Sequence, residues 1–170
     1  YQQQDSSVNI NIIAASSGLL ASQILNNAPY DLFLSADILK PKLIQERLNS
    51  HNKSAIYAIG QLALWIPESN GVEPCLKQLN GLKTLSIANP KTAPYGKLAD
   101  EIIKNSSIKI DKIIQTTSVS QAYLYTQDKL SQAGFIAYPM LAKNSTGCVQ
   151  IFQDNQLRQS MILLNNKAEG

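Results

Sequence analysis

Short apolar runs alternate along the chain with segments whose apolar positions recur at helical spacing. This pattern is typical of an α/β protein with mostly parallel strands, and no internal repeat or low-complexity linker interrupts it. The predicted strands occupy residues 8–13, 30–34, 54–67, 82–88, 112–115, 132–137, 149–152 and 160–164. The predicted helices occupy residues 19–25, 38–48, 72–79, 97–104 and 119–129.

Serine, proline and asparagine mark the predicted helix boundaries. Ser16 or Ser17 is the expected N-cap of the first helix, because a serine side chain can satisfy a free amide at a helix start. Pro29 follows two asparagines and ends that helix, and Pro41 fits only in the first turn of the next one. Residues 89–96 form a turn-rich loop before the fourth predicted helix.

The composition describes a folded chain with few charges. The 170 residues are enough for one full domain or two small lobes, and 44% of them are hydrophobic. Charged residues make up only 16%, against about 25% in ordinary soluble domains. Neutral polar residues take their place, with 17 Ser, 15 Gln and 14 Asn. A hydrophobic fraction of this size argues against disorder.

The charge distribution argues against nucleic acid as a partner. The net charge is +3, but the 13 lysines are scattered and only two arginines are present. Binding to a phosphate backbone needs clustered cations. No apolar run approaches the roughly 18 residues that a membrane span requires, so we expect no transmembrane segment.

Two cysteines, Cys75 and Cys148, lie 73 positions apart. This spacing is too long for a local metal clip, and no second cysteine or histidine lies near either one, so we expect no metal site. They could form a disulfide in an exported protein, or they could be two buried thiols. The residues alone leave both possibilities open.

Residues for catalysis are scarce, and we expect no catalytic residue and no enzymatic activity. His51 lies in a polar loop, where a lone histidine is usually solvated. The chain contains no Gly-x-Ser-x-Gly elbow and no phosphate-binding glycine loop with its lysine. Asp31 and Asp37 flank a predicted strand, and we expect them to cap or pair locally.

Three predicted strand-to-helix junctions share small or turn-forming residues, at residues 16–18, 94–96 and 118–119. Each would direct unpaired backbone N–H groups outward, and a helix start carries positive partial charge. Serine at one N-cap is ordinary helix punctuation. Three such junctions at the carboxyl ends of strands would together form an oxyanion site without arginine.

The residues at these junctions resemble those of periplasmic molybdate-binding proteins, the solute receptors of molybdate ABC transporters. The first-lobe match comprises Ala15-Ser16-Ser17-Gly18-x-Leu20-Ala21-x-Gln23-Ile24 and Asn27-Ala28-Pro29-x-Asp31-Leu32-Phe33-Leu34-Ser35-Ala36-Asp37. The second-lobe match comprises Ala88-Asn89-Pro90-Lys91-Thr92-Ala93-Pro94-Tyr95-Gly96-x-x-Ala99, Ser118-Val119-Ser120-Gln121-Ala122 and Ala133-Gly134-Phe135-Ile136-Ala137. The resemblance covers residues 8–166.

The resemblance implies a class II periplasmic-binding-protein fold with two α/β lobes, mostly parallel sheets flanked by helices, and crossing strands as a hinge. Residues 1–67 and 158–170 would form the first lobe, and residues 68–157 the second. Residues 54–67 would carry the first crossing and residues 160–165 the return. The family also has an earlier strand and terminal helices, so we expect a chain truncated at both ends with an incomplete first lobe.

The resemblance also implies the anion-binding groups. Ser17 would donate its hydroxyl and its backbone N–H, while Tyr95 and Val119 would donate backbone N–H groups from the second lobe. Ser16 is a further candidate. Some family members use a tyrosine on a later strand, but this chain has Ala137 at that place, with Tyr138 one residue along.

The implied ligand is molybdate or tungstate, bound as cargo without any cofactor, and the implied partner is an ABC transporter permease. The implied location is the periplasm, or outside the cell on a lipid anchor. Three alternatives remain open. They are an effector-binding domain of a regulator with the same fold, a truncated form that no longer binds anion, and a small α/β hydrolase or transferase. The regulator would normally follow a helix-turn-helix segment, and the chain contains none.

Overall fold

The structure, a computed structural model, describes residues 9–141 and 145–164. Its strands are β1 (Leu32–Ser35), β2 (Ala55–Ile66), β3 (Thr84–Ala88), β4 (Lys112–Thr116), β5 (Ala133–Ala137) and β6 (Cys148–Leu163). Its α-helices are α1 (Ser17–Leu25), α2 (Leu39–Arg47), α3 (Cys75–Gln78), α4 (Pro94–Asn105) and α5 (Val119–Gln127). The predicted α/β fold class is confirmed.

The six strands form one mixed sheet in the order β1-β6-β2-β5-β3-β4. The expectation of mostly parallel strands is wrong, because β6 pairs antiparallel with β1 and β2, and β2 pairs antiparallel with β5. Only β5, β3 and β4 are parallel neighbours. These are the strands that α4 and α5 connect, as crossover helices require.

The two longest strands, β2 and β6, run through both halves of the sheet. Ala55 pairs with Met161 at one end of their ladder and Ile66 pairs with Cys148 at the other. The register shifts between Gly60 and Leu62, where β6 carries extra residues. The two strands predicted at 149–152 and 160–164 are therefore one strand, because this irregularity hides its continuity from the hydrophobic pattern.

The buried hydrophobic side chains of the described residues form three cores. The first packs α1 and α2 on β1 and the end of β6, and its residues are Leu20, Ala21, Ile24, Phe33, Ile44 and Ile162. The second packs α3 and α4 against the rest of the sheet, around Leu62, Leu64, Leu79, Leu85, Ile87 and Phe135. The third is small and comprises Ala63, Trp65 and Ile136, with Tyr123 of α5 packed against it. The part of β2 beyond Gly60 thus contributes to the second core.

The strand predicted at residues 8–13 is wrong for the residues that the structure describes. Residues 9–13 form no strand, and Ile12 and Ile13 are exposed. An alternating pattern shows only that one face could be buried, and a strand also needs a partner edge. Val8, like residues 1–7 and 165–170, lies outside the described residues.

Helix α4 begins at Pro94, three residues before the predicted start at Lys97. Proline favours the first helical position because its fixed φ suits the helix and its missing N–H is not needed there. Consequently Pro94, Tyr95 and Gly96 form the first turn of the helix. Helix α3 is shorter than predicted and continues as a 3₁₀ turn over Leu79–Gly81.

A disulfide joins Cys75 in α3 to Cys148 at the start of β6. The two Cα atoms are 5.6 Å apart, within the usual range for a disulfide. Of the two possibilities that the residues left open, the structure has the disulfide. Within the described ranges, no helix is long and apolar enough to cross a membrane.

Candidate functional site

The starts of α4 and α5 lie side by side at one edge of the sheet. Strands β3 and β4 are parallel neighbours, and their last residues, Ala88 and Thr116, pair with each other. The backbone N–H of Asn89 donates to the Thr116 carbonyl oxygen at 2.8 Å, which joins the two loops that follow. The order of the strands therefore brings two of the three junctions together at their carboxyl ends.

The start of α1 supplies a hydroxyl that is held in place by the backbone. Ser17 is the first residue of α1 and is almost fully buried, with 6% of its surface exposed. Its Oγ accepts a hydrogen bond from the Ala36 N–H at 3.0 Å. Because the oxygen is already used as an acceptor, its own proton remains as a group to donate. Ser16 is the N-cap residue by position, but its side chain makes no capping hydrogen bond.

A direct hydrogen bond links the start of α1 to the loop before α4. The Gly18 N–H donates to the Thr92 carbonyl oxygen at 2.8 Å. A Cβ at position 18 would lie 2.7 Å from that oxygen, so the approach depends on glycine. The start of α1 is thus held against the loop before α4 by a backbone hydrogen bond.

The first turn of α4 packs directly on the end of β3. A Cβ at Gly96 would overlap the Ala88 carbonyl oxygen, so only glycine allows this approach. The Lys97 N–H makes the first bond of the helix, to the Ala93 carbonyl at 3.0 Å. The Tyr95 N–H precedes it and lies outside the helical ladder. The Pro-Tyr-Gly sequence therefore places a free helix-start amide at the sheet edge.

The side chain of Tyr95 points back to the two crossing strands. Only 5% of the residue is exposed, and its Oη accepts a hydrogen bond from Gln159 Nε2 at 2.9 Å. Burial raises the pKa of the Tyr95 phenol, partly opposed by the Gln159 hydrogen bond and helped by the nearby Tyr57. The phenol therefore stays protonated and neutral at neutral pH.

Helix α5 begins with a capped turn. The Ser118 Oγ accepts from the Gln121 N–H at 3.2 Å, so Ser118 caps the start of the helix. Thr116 Oγ1 donates to the Ser118 carbonyl at 2.9 Å and fixes the short loop between β4 and α5. Val119 is the first helical residue and packs against the second core. Its N–H is one of the amides that a helix start leaves unpaired.

The other candidate residues lie elsewhere or have structural roles. Tyr138 lies in a 3₁₀ turn after β5, with 39% of its surface exposed. Asp37 Oδ1 accepts from the Lys40 N–H at 2.8 Å, which is the local capping role expected for it. Asp31 and His51 are exposed. Among the described residues, no group of three or more His, Cys, Asp or Glu could hold a metal ion.

A cavity of about 350 Å³ lies beside the starts of α2 and α4. Its walls carry three lysines and two acids, namely Lys40, Lys91, Lys97, Asp37 and Glu101. Ser17, Tyr95 and Val119 do not line this cavity, but Pro94 and Thr92 do. The cavity therefore borders the first turn of α4 and the loop that contacts the start of α1.

Sequence reasoning missed several residues that shape the site. Gly18, Gly60 and Gln159 act through contacts with distant parts of the chain, and the resemblance assigned them no role. A usable signal was present only for Gly18 and Gly96, since glycine in the first turn of a helix is unfavourable without a packing reason.

Comparison with known proteins gives matches over nearly the whole chain. The family model of bacterial extracellular solute-binding proteins matches residues 1–169. The molybdate-binding protein ModA of Rhodobacter capsulatus is 32% identical over 161 residues, covering 90% of this chain and 64% of that protein. The molybdate-binding protein ModA of Azotobacter vinelandii is 34% identical over 129 residues, covering 72% and 51%. The chain thus spans between half and two thirds of the length of these two relatives.

Solved structures show the same architecture. The periplasmic molybdate-binding protein of Azotobacter vinelandii superposes with a TM-score of 0.81 at 26% identity, covering 99% of this chain and 78% of that one. The regulatory domain of CcmR from Synechocystis, in complex with 2-PG, superposes with a TM-score of 0.64 at 8% identity, covering 98% and 78%. At 8% identity the second likeness shows the fold alone.

Proposed function

The chain belongs to the bacterial extracellular solute-binding proteins, and we propose that it binds a tetrahedral oxyanion, molybdate or tungstate, between its lobes for delivery to an ABC transporter. The two relatives that match over most of this chain are both molybdate-binding proteins. The observation that carries the proposal is that two contacts, Gly18 with Thr92 and Ala88 with Thr116, bring the starts of α1, α4 and α5 near one another, and the Ser17 hydroxyl there keeps a proton to donate.

The proposed donors are neutral and come from both lobes. Ser17 donates its hydroxyl and its N–H from the first lobe, and Tyr95 and Val119 donate N–H groups from the second. Helix starts carry positive partial charge, so together they can replace the hydration shell of a dianion without a cationic side chain. Ser16 and Tyr138 are secondary candidates, because neither side chain has a contact that directs it to the other three.

The same donors would select against protonated anions. The Ser17 hydroxyl, whose oxygen already accepts from the Ala36 N–H, would direct its proton to the anion, and the remaining proposed groups are amides that can only donate. Phosphate carries a proton at neutral pH, and burying its O–H without an acceptor costs free energy. Molybdate and tungstate carry none under these conditions.

Binding would favour closure of the lobes. We propose lobes of residues 1–67 with 158–170 and of residues 68–157, joined by the crossing of β2 and β6. Only the closed state brings donors of both lobes to one anion, so the anion stabilises that state. The hydrogen bond from Gly18 to Thr92 would hold the lobes together beside the anion.

The proposed partner is the permease of an ABC transporter, and the proposed location is the periplasm or, on a lipid anchor, the outer face of the membrane. The disulfide between Cys75 and Cys148 supports a place outside the cytoplasm, because disulfides persist in oxidising compartments. The proposed role is transport of cargo and not catalysis.

Replacing Ser17 by alanine tests the proposed site. The variant removes one hydrogen bond to a charged ligand, which is worth about 1.5–3 kcal/mol, so molybdate affinity should fall about 10- to 150-fold. Isothermal titration calorimetry measures the change. Ser22→Ala, on the exposed side of the same helix, is the matched control and should leave the affinity unchanged. Equal affinities of Ser17→Ala and wild type would refute the placement of the anion.

A further inference from the structure

The phenol of Tyr95 occupies the point where the two crossing strands lose their regular register. A Cβ at Gly60 would overlap both Tyr95 Oη and Gln159 Nε2, so the phenol lies directly over the Gly60 backbone. Gly60 pairs with Leu157, and the next pair along β2 is Leu62 with Phe152. The contact therefore sits at the register shift between β2 and β6.

Three elements meet in this contact. Tyr95 belongs to the first turn of α4, Gly60 to β2 and Gln159 to β6. The hydrogen bond from Gln159 Nε2 to Tyr95 Oη joins a part-buried side chain to a buried one, which reduces competition with water. The side chain thus connects the start of α4 to the strands about which the lobes would turn.

We propose that Tyr95 is a positioning residue for anion binding, whose phenol, held by Gln159 over Gly60, fixes the first turn of α4 relative to the crossing strands. This inference rests on the proposed function. It adds a role for the side chain of a residue whose backbone N–H is the proposed donor. The contact of the phenol with the crossing strands would then set the position of the Tyr95 N–H, which is the proposed donor to the anion.

Tyr95→Phe is the first test, because it removes only the phenol oxygen and keeps the ring and the backbone N–H. Loss of one neutral hydrogen bond should weaken molybdate binding by about two- to tenfold. Tyr30→Phe is the matched control, since Tyr30 Oη also bonds a glutamine side chain, Gln23 Oε1, at 2.8 Å, but does so on the exposed side of the first lobe. That control should bind like wild type.

Gly60→Ala provides a second variant with a distinctive signature. In the wild-type background the new methyl group overlaps the phenol oxygen, and affinity should fall about fivefold or more. In the Tyr95→Phe background that oxygen is gone. The nearest ring atom, Cζ, is then 3.1 Å away, and the Gln159 amide can move. The loss from Gly60→Ala should be smaller there, whereas equal losses in both backgrounds would overturn the proposed contact.

Amide hydrogen exchange without anion separates this inference from the proposed function. Tyr95→Phe should speed exchange of the Lys97 amide and its neighbours in the first turn of α4, and Tyr30→Phe should not. Unchanged exchange and unchanged affinity, in a protein that binds molybdate, would overturn the positioning role alone. Faster exchange in a protein that binds no oxyanion would support the contact between the Tyr95 phenol and the crossing strands, and it would reject the proposed function.

Discussion

At the scale of single residues, the proposed site consists of groups that do not titrate near neutral pH. The Ser17 hydroxyl and the Tyr95 and Val119 amides keep their protons throughout this range. A site built from lysine or histidine would instead lose positive charge as the pH rises. The pH dependence of anion binding should therefore differ between a site of three neutral donors and a cationic site.

We expect molybdate affinity to stay constant between about pH 6 and pH 9, because no proposed donor has an ordinary pKa in that interval. Calorimetric titrations at several pH values, with ionic strength held constant, measure this. A decrease in affinity as the pH rises through this interval would contradict the neutral-donor account.

Through Tyr95, stability should respond to pH in the alkaline range. Burial raises the pKa of its phenol in the folded chain. A raised folded-state pKa means that the folded chain holds this proton more tightly than the unfolded chain. The corresponding stabilisation is fully present below the ordinary tyrosine pKa of about 10 and is lost as the pH rises through the folded-state value.

At the scale of elements, a glycine determines how closely α4 approaches β3. A Cβ at Gly96 would overlap the Ala88 carbonyl oxygen, and neither backbone can yield without moving the first turn of the helix. Gly96→Ala should lower the free energy of unfolding by about 1–3 kcal/mol and weaken molybdate binding. Chemical denaturation and calorimetry measure the two effects.

The matched control for this variant is Gly81→Ala, because a Cβ at Gly81 would meet no atom within 4 Å. It should change the unfolding free energy by no more than about 0.5 kcal/mol. If both alanine variants behave alike, the close approach of α4 to β3 is not what requires the glycine.

The disulfide joins two other elements of the second lobe, α3 and β6. It closes a loop across 73 positions, which restricts the unfolded chain. Replacing Cys75 and Cys148 together by alanine should lower the free energy of unfolding by about 2–5 kcal/mol. Chemical denaturation of the double variant and of reduced wild type should agree, and an unchanged midpoint in both would show that the disulfide adds no stability.

At the scale of the whole molecule, the local hydrophobic pattern predicted the positions of strands better than it predicted which strands pair with each other. The hydrophobic pattern placed β3, β4 and β5 within two residues of their ends, because each is a short apolar run between clear turns, and β3 and β5 are buried. It failed for residues 9–13, where alternation occurs without a partner strand, and for β6, where the register shift opposite Gly60 breaks one strand into two apparent ones.

In the candidate site, too, local features were easier to predict than contacts between distant positions. Serine and Pro-Tyr-Gly at helix starts are local signals that marked the three junctions, and the family resemblance selected Ser17, Tyr95 and Val119 within them. The contacts that hold these starts together join distant positions, such as Gly18 with Thr92 and Tyr95 with Gln159. No local pattern encodes such pairs, because they depend on how two lobes and two crossing strands come together in space.

The central claim is that the closed lobes bind a fully deprotonated tetrahedral dianion through neutral donors. The most direct measurement is isothermal titration calorimetry of the wild-type chain with molybdate, alongside phosphate under the same conditions. We predict saturable binding of one molybdate per chain and no measurable binding of phosphate. Two results would contradict this account. One is the absence of any heat of binding with molybdate at about 1 mM, a concentration that corresponds to a binding free energy of about 4 kcal/mol. The other is equal binding of phosphate.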